Sequence, residues 1–142
     1  MKLVESISID ELDILENSCF KGDIYSKNQL CDILSNKNLY KVIAVELDDK
    51  EKIGYVIILD NSESYEIMKI GTLEKYRKKG VGKILLDHIS SYGKNIYLEV
   101  RETNYSAISF YCSNGFEIIG KRKHYYTDTN EAAIIMIKKI DN

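Results

Sequence analysis

Residues Tyr65 to Ser91, YEIMKIGTLEKYRKKGVGKILLDHISS, decide the reading of this chain. Tyr65 to Thr72 is rich in large apolar residues and has the length of a strand. A basic turn follows, Arg77-Lys78-Lys79-Gly80-Val81-Gly82-Lys83. Ile84, Leu85 and Ile89 then fall on one side of a helix expected from about Val81 to Ser91. Glycines let the backbone approach a ligand closely, and the first amides of a helix point outward at its positive end. The flanking cations would add charge-assisted contacts. Such a turn can wrap a pyrophosphate; the other reading is a tight turn with a solvated basic face.

Two phosphate loops do not fit. GxxxxGK[ST] fails because Arg77 stands five residues before Gly82 and Ile84 follows Lys83. A dinucleotide fingerprint would need glycine at position 85, which is leucine. The pattern that remains is RxxGxG, Arg77 to Gly82.

Working outward, Tyr40 to Leu47 and Lys52 to Asp60 read as strands joined by the polar turn Asp48-Asp49-Lys50-Glu51. Upstream, Ser6 to Ile9 alternates like a short strand, Asp10 stands as the N-cap of a helix over about residues 11–19, and Ser26 begins a second helix. Downstream, Asn95 to Val100 reads as a strand. Asn104 can cap a helix that stops near Asn114-Gly115. Phe116 to Gly120 and Ala132 to Ile140 close the chain as strands around a turn at Thr127-Asp128-Thr129-Asn130. The order β-α-α-β-β-β-α-β-α-β-β predicts one domain over 1–142, an α/β sheet with helices on both faces.

Composition narrows the classes. A chain of 142 residues with 44% hydrophobic and 30% charged content is an ordinary globular domain. The opening MKLVESISIDEL has no apolar run suited to a signal peptide, and no later stretch reaches transmembrane length, so a cytoplasmic protein without membrane contact is expected. Cys19, Cys31 and Cys112 are far apart and read as reduced thiols. The net charge of −2 argues against a nucleic-acid coat, while five cations between Lys75 and Lys83 suggest a small anionic ligand.

Glu99 stands at a strand end in Leu98-Glu99-Val100-Arg101, Asn104 follows, and Phe110-Tyr111 lies on the next helix. A carboxylate and a phenol so placed can converge on one cleft. Acetylation of an amine needs such a pair, because an N-terminal ammonium of pKa about 8 must lose its proton before attack and a departing thiolate must gain one. Each residue also has a plain structural reading. Glu99 can pair with Arg101 on one strand face, Asn104 can be only a helix cap, and Tyr111 can be a core tyrosine.

These segments carry a resemblance. Ile70 to Lys83, LEVRETNYSAISFYCSNGF from Leu98 to Phe116, Gly120-Lys121-Arg122 through Tyr125-Tyr126 and the tail Ala133-Ile134-Ile135-Met136 resemble the RimI-type branch of the GNAT superfamily. Cys19-Phe20 and Tyr25-Ser26-x-x-Gln29-Leu30 are similar to that group's substrate loop and second helix. The resemblance implies a GNAT fold, a mixed sheet of about seven strands with about four helices packed on both faces.

It also implies acetyl-CoA as co-substrate. Backbone groups of Ile70, Gly71 and Thr72 would bind the pantetheine arm. Arg77, Lys78, Lys79, Gly80, Val81, Gly82 and Lys83 would form the pyrophosphate turn, and Asn104 would contact the cofactor. Glu99 would be the general base, through water, and Tyr111 the general acid. No metal is implied. No covalent acetyl-enzyme is expected either, since no histidine is placed by sequence to activate Cys112. Thr72-Leu73-Glu74 departs from that branch's usual aliphatic, acidic and proline residues, and Ile24-Tyr25 replaces its Pro-Trp at a substrate wall.

The implied acceptor is a protein N-terminus, the N-terminal alanine of a small-subunit ribosomal protein, met by a monomer or weak dimer. Glu11, Asp13, Glu16, Asp23 and Asp128 are candidates for an acidic groove that would favour a basic tail. A small-molecule amine or a lysine side chain is the alternative acceptor on the same fold. Nucleic-acid binding through the basic turn, or a CoA sensor without catalysis, would be different classes of function.

Overall fold

Apolar residues alternate along the central strands, and each parity faces a different helix layer. The computed structural model describes residues 1–140. Its elements are β1 (Lys2–Val4), α1 (Ile9–Cys19), α2 (Lys27–Ser35), β2 (Tyr40–Glu46), β3 (Lys52–Asp60), β4 (Ser64–Thr72), α3 (Val81–Ser90), β5 (Asn95–Arg101), α4 (Tyr105–Ser113), β6 (Glu117–Tyr126) and β7 (Glu131–Lys138), with a single 3-10 turn at Glu74–Tyr76. The seven strands form one sheet in the order β1-β2-β3-β4-β5-β7-β6. Every neighbouring pair is antiparallel except β4 and β5. The expected α/β sheet with helices on both faces is the one observed.

On one face Ile43, Val45, Val56 and Ile58 pack against Leu85, Leu86 and Ile89 of α3 and Tyr111 of α4. On the other Val42, Ala44, Tyr55 and Ile57 pack against Leu12 and Leu15 of α1 and Leu30 and Ile33 of α2. The β2 residues of the two sets differ by one position, as a pleated strand requires.

Several expected boundaries move. The segment from Ser6 to Ile9 is not a strand: β1 lies earlier, and Ser8 is the N-cap of α1 in place of Asp10. Ser8 accepts from the Glu11 amide while the Glu11 side chain accepts from the Ser8 amide, a reciprocal cap that Asp10 has no partner to make. Ser26 and Gln29 repeat the device at α2. The penultimate strand does not stop at Gly120 but continues to Tyr126, because its later residues find partners in β7 across an irregular stretch after Arg122. No helix among the described residues is long and apolar enough to cross a membrane.

Candidate active site

The one parallel pair is also the pair that comes apart. β4 and β5 meet only at Ser64–Asn95, Tyr65–Ile96 and Glu66–Tyr97. Beyond that rung β4 stays with β3 as far as Thr72, and β5 stays with β7 as far as Arg101. Met68 is an extra residue in β4, since Ile57 faces Lys69 while Ile58 faces Ile67. A bulge of this kind bends its strand and ends pairing. From Ile67 and Leu98 onward the two strands diverge, and the β4 edge carrying Ile70, Gly71 and Thr72 has no ladder partner in β5.

α3 follows this parted strand closely. Gly80 is its N-cap at φ 86°, a left-handed conformation natural to glycine, and a Cβ there would meet nothing within 4 Å. Ile84 donates the first intrahelical bond, to the Gly80 carbonyl, so the amides of Val81, Gly82 and Lys83 precede the ladder. Lys78, also left-handed at φ 62°, and Lys79 are exposed beside them. Unsatisfied amides, a helix N-terminus and mobile cations are the donor set that a pyrophosphate requires. Arg77 is different: its guanidinium donates to the carbonyls of Thr72 (3.2 Å) and Cys19 (3.1 Å), tying the end of β4 to the end of α1. Lys83 pairs with Asp87 at 2.9 Å.

Two glycines earn their place by packing. A Cβ on Gly82 would lie 2.7 Å from Phe110 Cζ, so Gly82 lets α4 press onto α3. A Cβ on Gly71 would lie 2.9 Å from Phe20 and 3.1 Å from both Cys19 and Tyr55. Gly54, which the sequence reading passed over, belongs with them: its Cβ would be 2.6 Å from Val81, so this glycine seats the first residue of α3 on β3. A lone glycine inside a strand pattern is the signal that points to such a close approach.

Alternation along β5 sends Leu98 and Val100 into the core under α3 and α4, and Glu99 and Arg101 to the face covered by α1 and α2. The alternative pairing of Glu99 with Arg101 does not form. Arg122 of β6 forms an ion pair with Glu99, Nε to Oε1 at 3.0 Å, reaching across β7. Arg101 goes instead to Asp23, Asp128 and Glu131. Glu66, on the last paired rung, has its carboxyl raised above the ordinary value by burial and then by the nearby charge of Glu99.

Tyr111 lies in the core on the opposite face, 7% exposed, its ring 5.5 Å from Phe110 and 5.4 Å from Phe116. Burial holds its phenol well above the usual value. Among the described residues its hydroxyl makes no side-chain hydrogen bond, and no buried polar side-chain atom is left unsatisfied. Asn104 is the N-cap of α4, accepting from the Ala107 amide at 3.3 Å. The structure therefore sets Glu99 and Tyr111 on the two sides of a sheet that opens between β4 and β5.

The proposed acidic groove does not assemble as a whole. Glu16 is fully buried, accepting from the Tyr25 amide at 2.8 Å and the Tyr55 hydroxyl and pairing with Lys69 at 3.0 Å. Glu11 serves the α1 cap and Lys52, and Asp13 accepts from Asn17. Only Asp23 and Asp128 come together. Among the described residues no group of three or more His, Cys, Asp or Glu is placed to hold a metal.

A mixed seven-stranded sheet that parts between its parallel strands, with a glycine-led helix following the parted edge, defines an α/β domain of acetyltransferase architecture. The chain belongs to the Acetyltransferase (GNAT) family, whose model matches residues 8–116. N-alpha-acetyltransferase 50 of Danio rerio is 38% identical over 85 residues, 56% of this chain and 51% of that protein. N-alpha-acetyltransferase RimI of Mycobacterium tuberculosis is 35% identical over 74 residues, 51% of this chain and 47% of that one. The matches thus span about half the length of these curated relatives. The ribosomal-protein-S18-alanine N-acetyltransferase of Escherichia coli shares the fold at TM-score 0.84 and 24% identity, over 99% of this chain and 94% of that one.

Proposed function

We propose that this protein transfers the acetyl group of acetyl-CoA to the N-terminal amine of a protein. The parted β4–β5 edge carries the reading: it offers backbone donors and acceptors for an extended amide-bearing arm, ending at the amides of Val81, Gly82 and Lys83 and the cations Lys78 and Lys79. The matched N-alpha-acetyltransferases support the amine of a protein N-terminus as acceptor.

Acetyl-CoA supplies the activated carbonyl. Glu99 takes the ammonium proton through water, the freed amine attacks and the carbon–nitrogen bond forms. The carbon–sulfur bond breaks as the Tyr111 phenol protonates the thiolate, and the second proton leaving the nitrogen returns through water to the phenolate. Free CoA and an N-acetylated chain result. Asn104, besides its capping role, is assigned to the cofactor side. The acceptor we assign is the N-terminal alanine of a small-subunit ribosomal protein, in the cytosol, with no nucleic acid engaged directly.

The test is thiol release from acetyl-CoA with a peptide copied from that alanine-starting N-terminus and with its N-blocked twin. Release with the free peptide alone supports the assignment. Acetyl-CoA binding without release from any free N-terminus, but with release on a small amine, replaces it with a small-molecule acceptor.

A further inference from the structure

Two segments flank the face onto which Glu99 points: the α1–α2 loop, which carries Asp23 and Tyr25, and the β6–β7 turn, which carries Asp128 and Thr129. No hydrogen bond or ion pair among the described residues joins them directly. Both reach Arg101, two residues beyond Glu99 on the same strand face. Its Nε and one terminal nitrogen hold both oxygens of Asp23 at 3.0 Å. Its terminal nitrogens hold both oxygens of Asp128 at 3.1 Å, and one of them also reaches Thr129 and Glu131 at 3.1 Å. Its plane stacks on Tyr126 at 4.0 Å.

The α1–α2 loop is fixed from its other side as well. Lys69 donates to the Asp23 carbonyl, pairs with buried Glu16, and lies 4.3 Å over Phe20 and 4.8 Å over Tyr25. One chain of polar contacts, Glu16–Lys69–Asp23–Arg101–Asp128, with the Lys69–Asp23 link made to the backbone carbonyl, therefore runs from α1 to the β6–β7 turn. Burial does not demand it at the far end, because the Asp23 and Asp128 side chains are 61% and 64% exposed. Isolated surface pairs contribute little to stability, whereas a doubly bidentate guanidinium fixes geometry.

We infer that Arg101 is a positioning residue for the acceptor: by tying the two loops together it sets the room left beside the attacking amine, and so selects acceptors with a small first side chain. The inference rests on the N-terminal acetyltransferase reading for its substrate. Asp23 and Asp128 hold the two ends of the tie, and Glu131 and Tyr126 keep the guanidinium in place.

The experiment measures kcat/KM for peptides beginning with alanine and with leucine, in the wild type and in Arg101→Gln, Asp23→Asn and Asp128→Asn. A loosened mouth should raise the leucine-to-alanine ratio about tenfold in each variant, the scale of one side chain's worth of pocket discrimination. The KM for acetyl-CoA should stay within about twofold, since Arg101, Asp23 and Asp128 make no hydrogen bond or ion pair with the α3 turn among the described residues. A merely structural role would lower both peptides in parallel and leave the ratio unmoved, and that result overturns the inference. If the wild type acetylates no peptide but does acetylate small amines, the functional reading fails by itself. The same ratio, taken between a bulky and a small amine, then decides the tie.

Discussion

Arg122 pairs with Glu99 across the full width of an intervening strand: Nε and Oε1 are 3.0 Å apart, with β7 passing between the strands that carry them. The carboxylate thus has a cationic neighbour without being sealed from solvent, with its side chain 20% exposed.

For a carboxylate that accepts the ammonium proton, removing the charge and keeping the shape is the direct probe. Glu99→Gln should lower turnover at neutral pH by about a hundredfold, within the usual span for a general base. Acetyl-CoA binding, followed by calorimetry, should stay within about twofold because the parted edge of β4 is untouched. Unchanged turnover would remove Glu99 as the base.

Tyr111 separates packing from chemistry. Its ring is wedged between Phe110 and Phe116 while its hydroxyl makes no hydrogen bond among the described residues, so Tyr111→Phe should leave the unfolding free energy within about 1 kcal/mol. Turnover should nevertheless fall roughly ten- to ten-thousand-fold if the phenol protonates the thiolate. Tyr111→Ala should cost about 3–5 kcal/mol, as loss of a buried aromatic does. Denaturant titration alongside single-turnover kinetics reads both effects.

Gly80 and Gly82 should respond differently to an added side chain. Gly80→Ala meets open space but must hold φ 86°, a strain of about 1–2 kcal/mol with the helix packing intact. Gly82→Val drives into Phe110 and should cost about 1–3 kcal/mol through repacking of α3 against α4. Adding Phe110→Leu should recover part of the second loss and none of the first. Thermal unfolding of the four variants decides the matter.

Acid should weaken the structure around Arg101. Glu131 is held down to about 2, first by the Thr103 hydroxyl, then by Thr129, with Arg101 adding to them, against an ordinary 4.5. A carboxyl depressed on folding stabilises fully above its unfolded value and ceases to do so as pH falls through the folded one. The difference in melting temperature between the wild type and Glu131→Gln should therefore be greatest above about pH 4.5 and vanish near pH 2. A difference that does not change with pH across that window would show that the side chain acts by packing.

The strands and helices of this chain were legible where periodicity and caps are local. Lys52 to Asp60 and the Ser26 cap needed only neighbours within a few residues. Ser8 was missed for Asp10 because the decisive partner is the reciprocal Glu11, a pairing visible as Ser-x-x-Glu once both ends are weighed. The Glu99 partner was not legible in the same way. Arg101 is close in sequence, but the order β5-β7-β6 carries Arg122 alongside while Asp23 and Asp128 draw Arg101 away. Gly82 was legible as a glycine that something approaches closely; that its neighbour is Phe110 depends on how α4 returns over α3.

The two apolar clusters lie on opposite faces of the sheet, one closed by α3 and α4 and the other by α1 and α2. The two layers meet where Arg77 bonds the Cys19 carbonyl and Phe20 packs on Gly71. Side chains under α1 and α2 away from that junction are therefore the ones open to exchange without repacking the layer that seats the α3 turn. The face with Glu99, Asp23 and Tyr25 belongs to the exchangeable half. Under the proposed assignment, this separation puts the acceptor side and the acyl-donor side in different layers. It recommends grafting whole α1–α2 segments between relatives as the route to new acceptors.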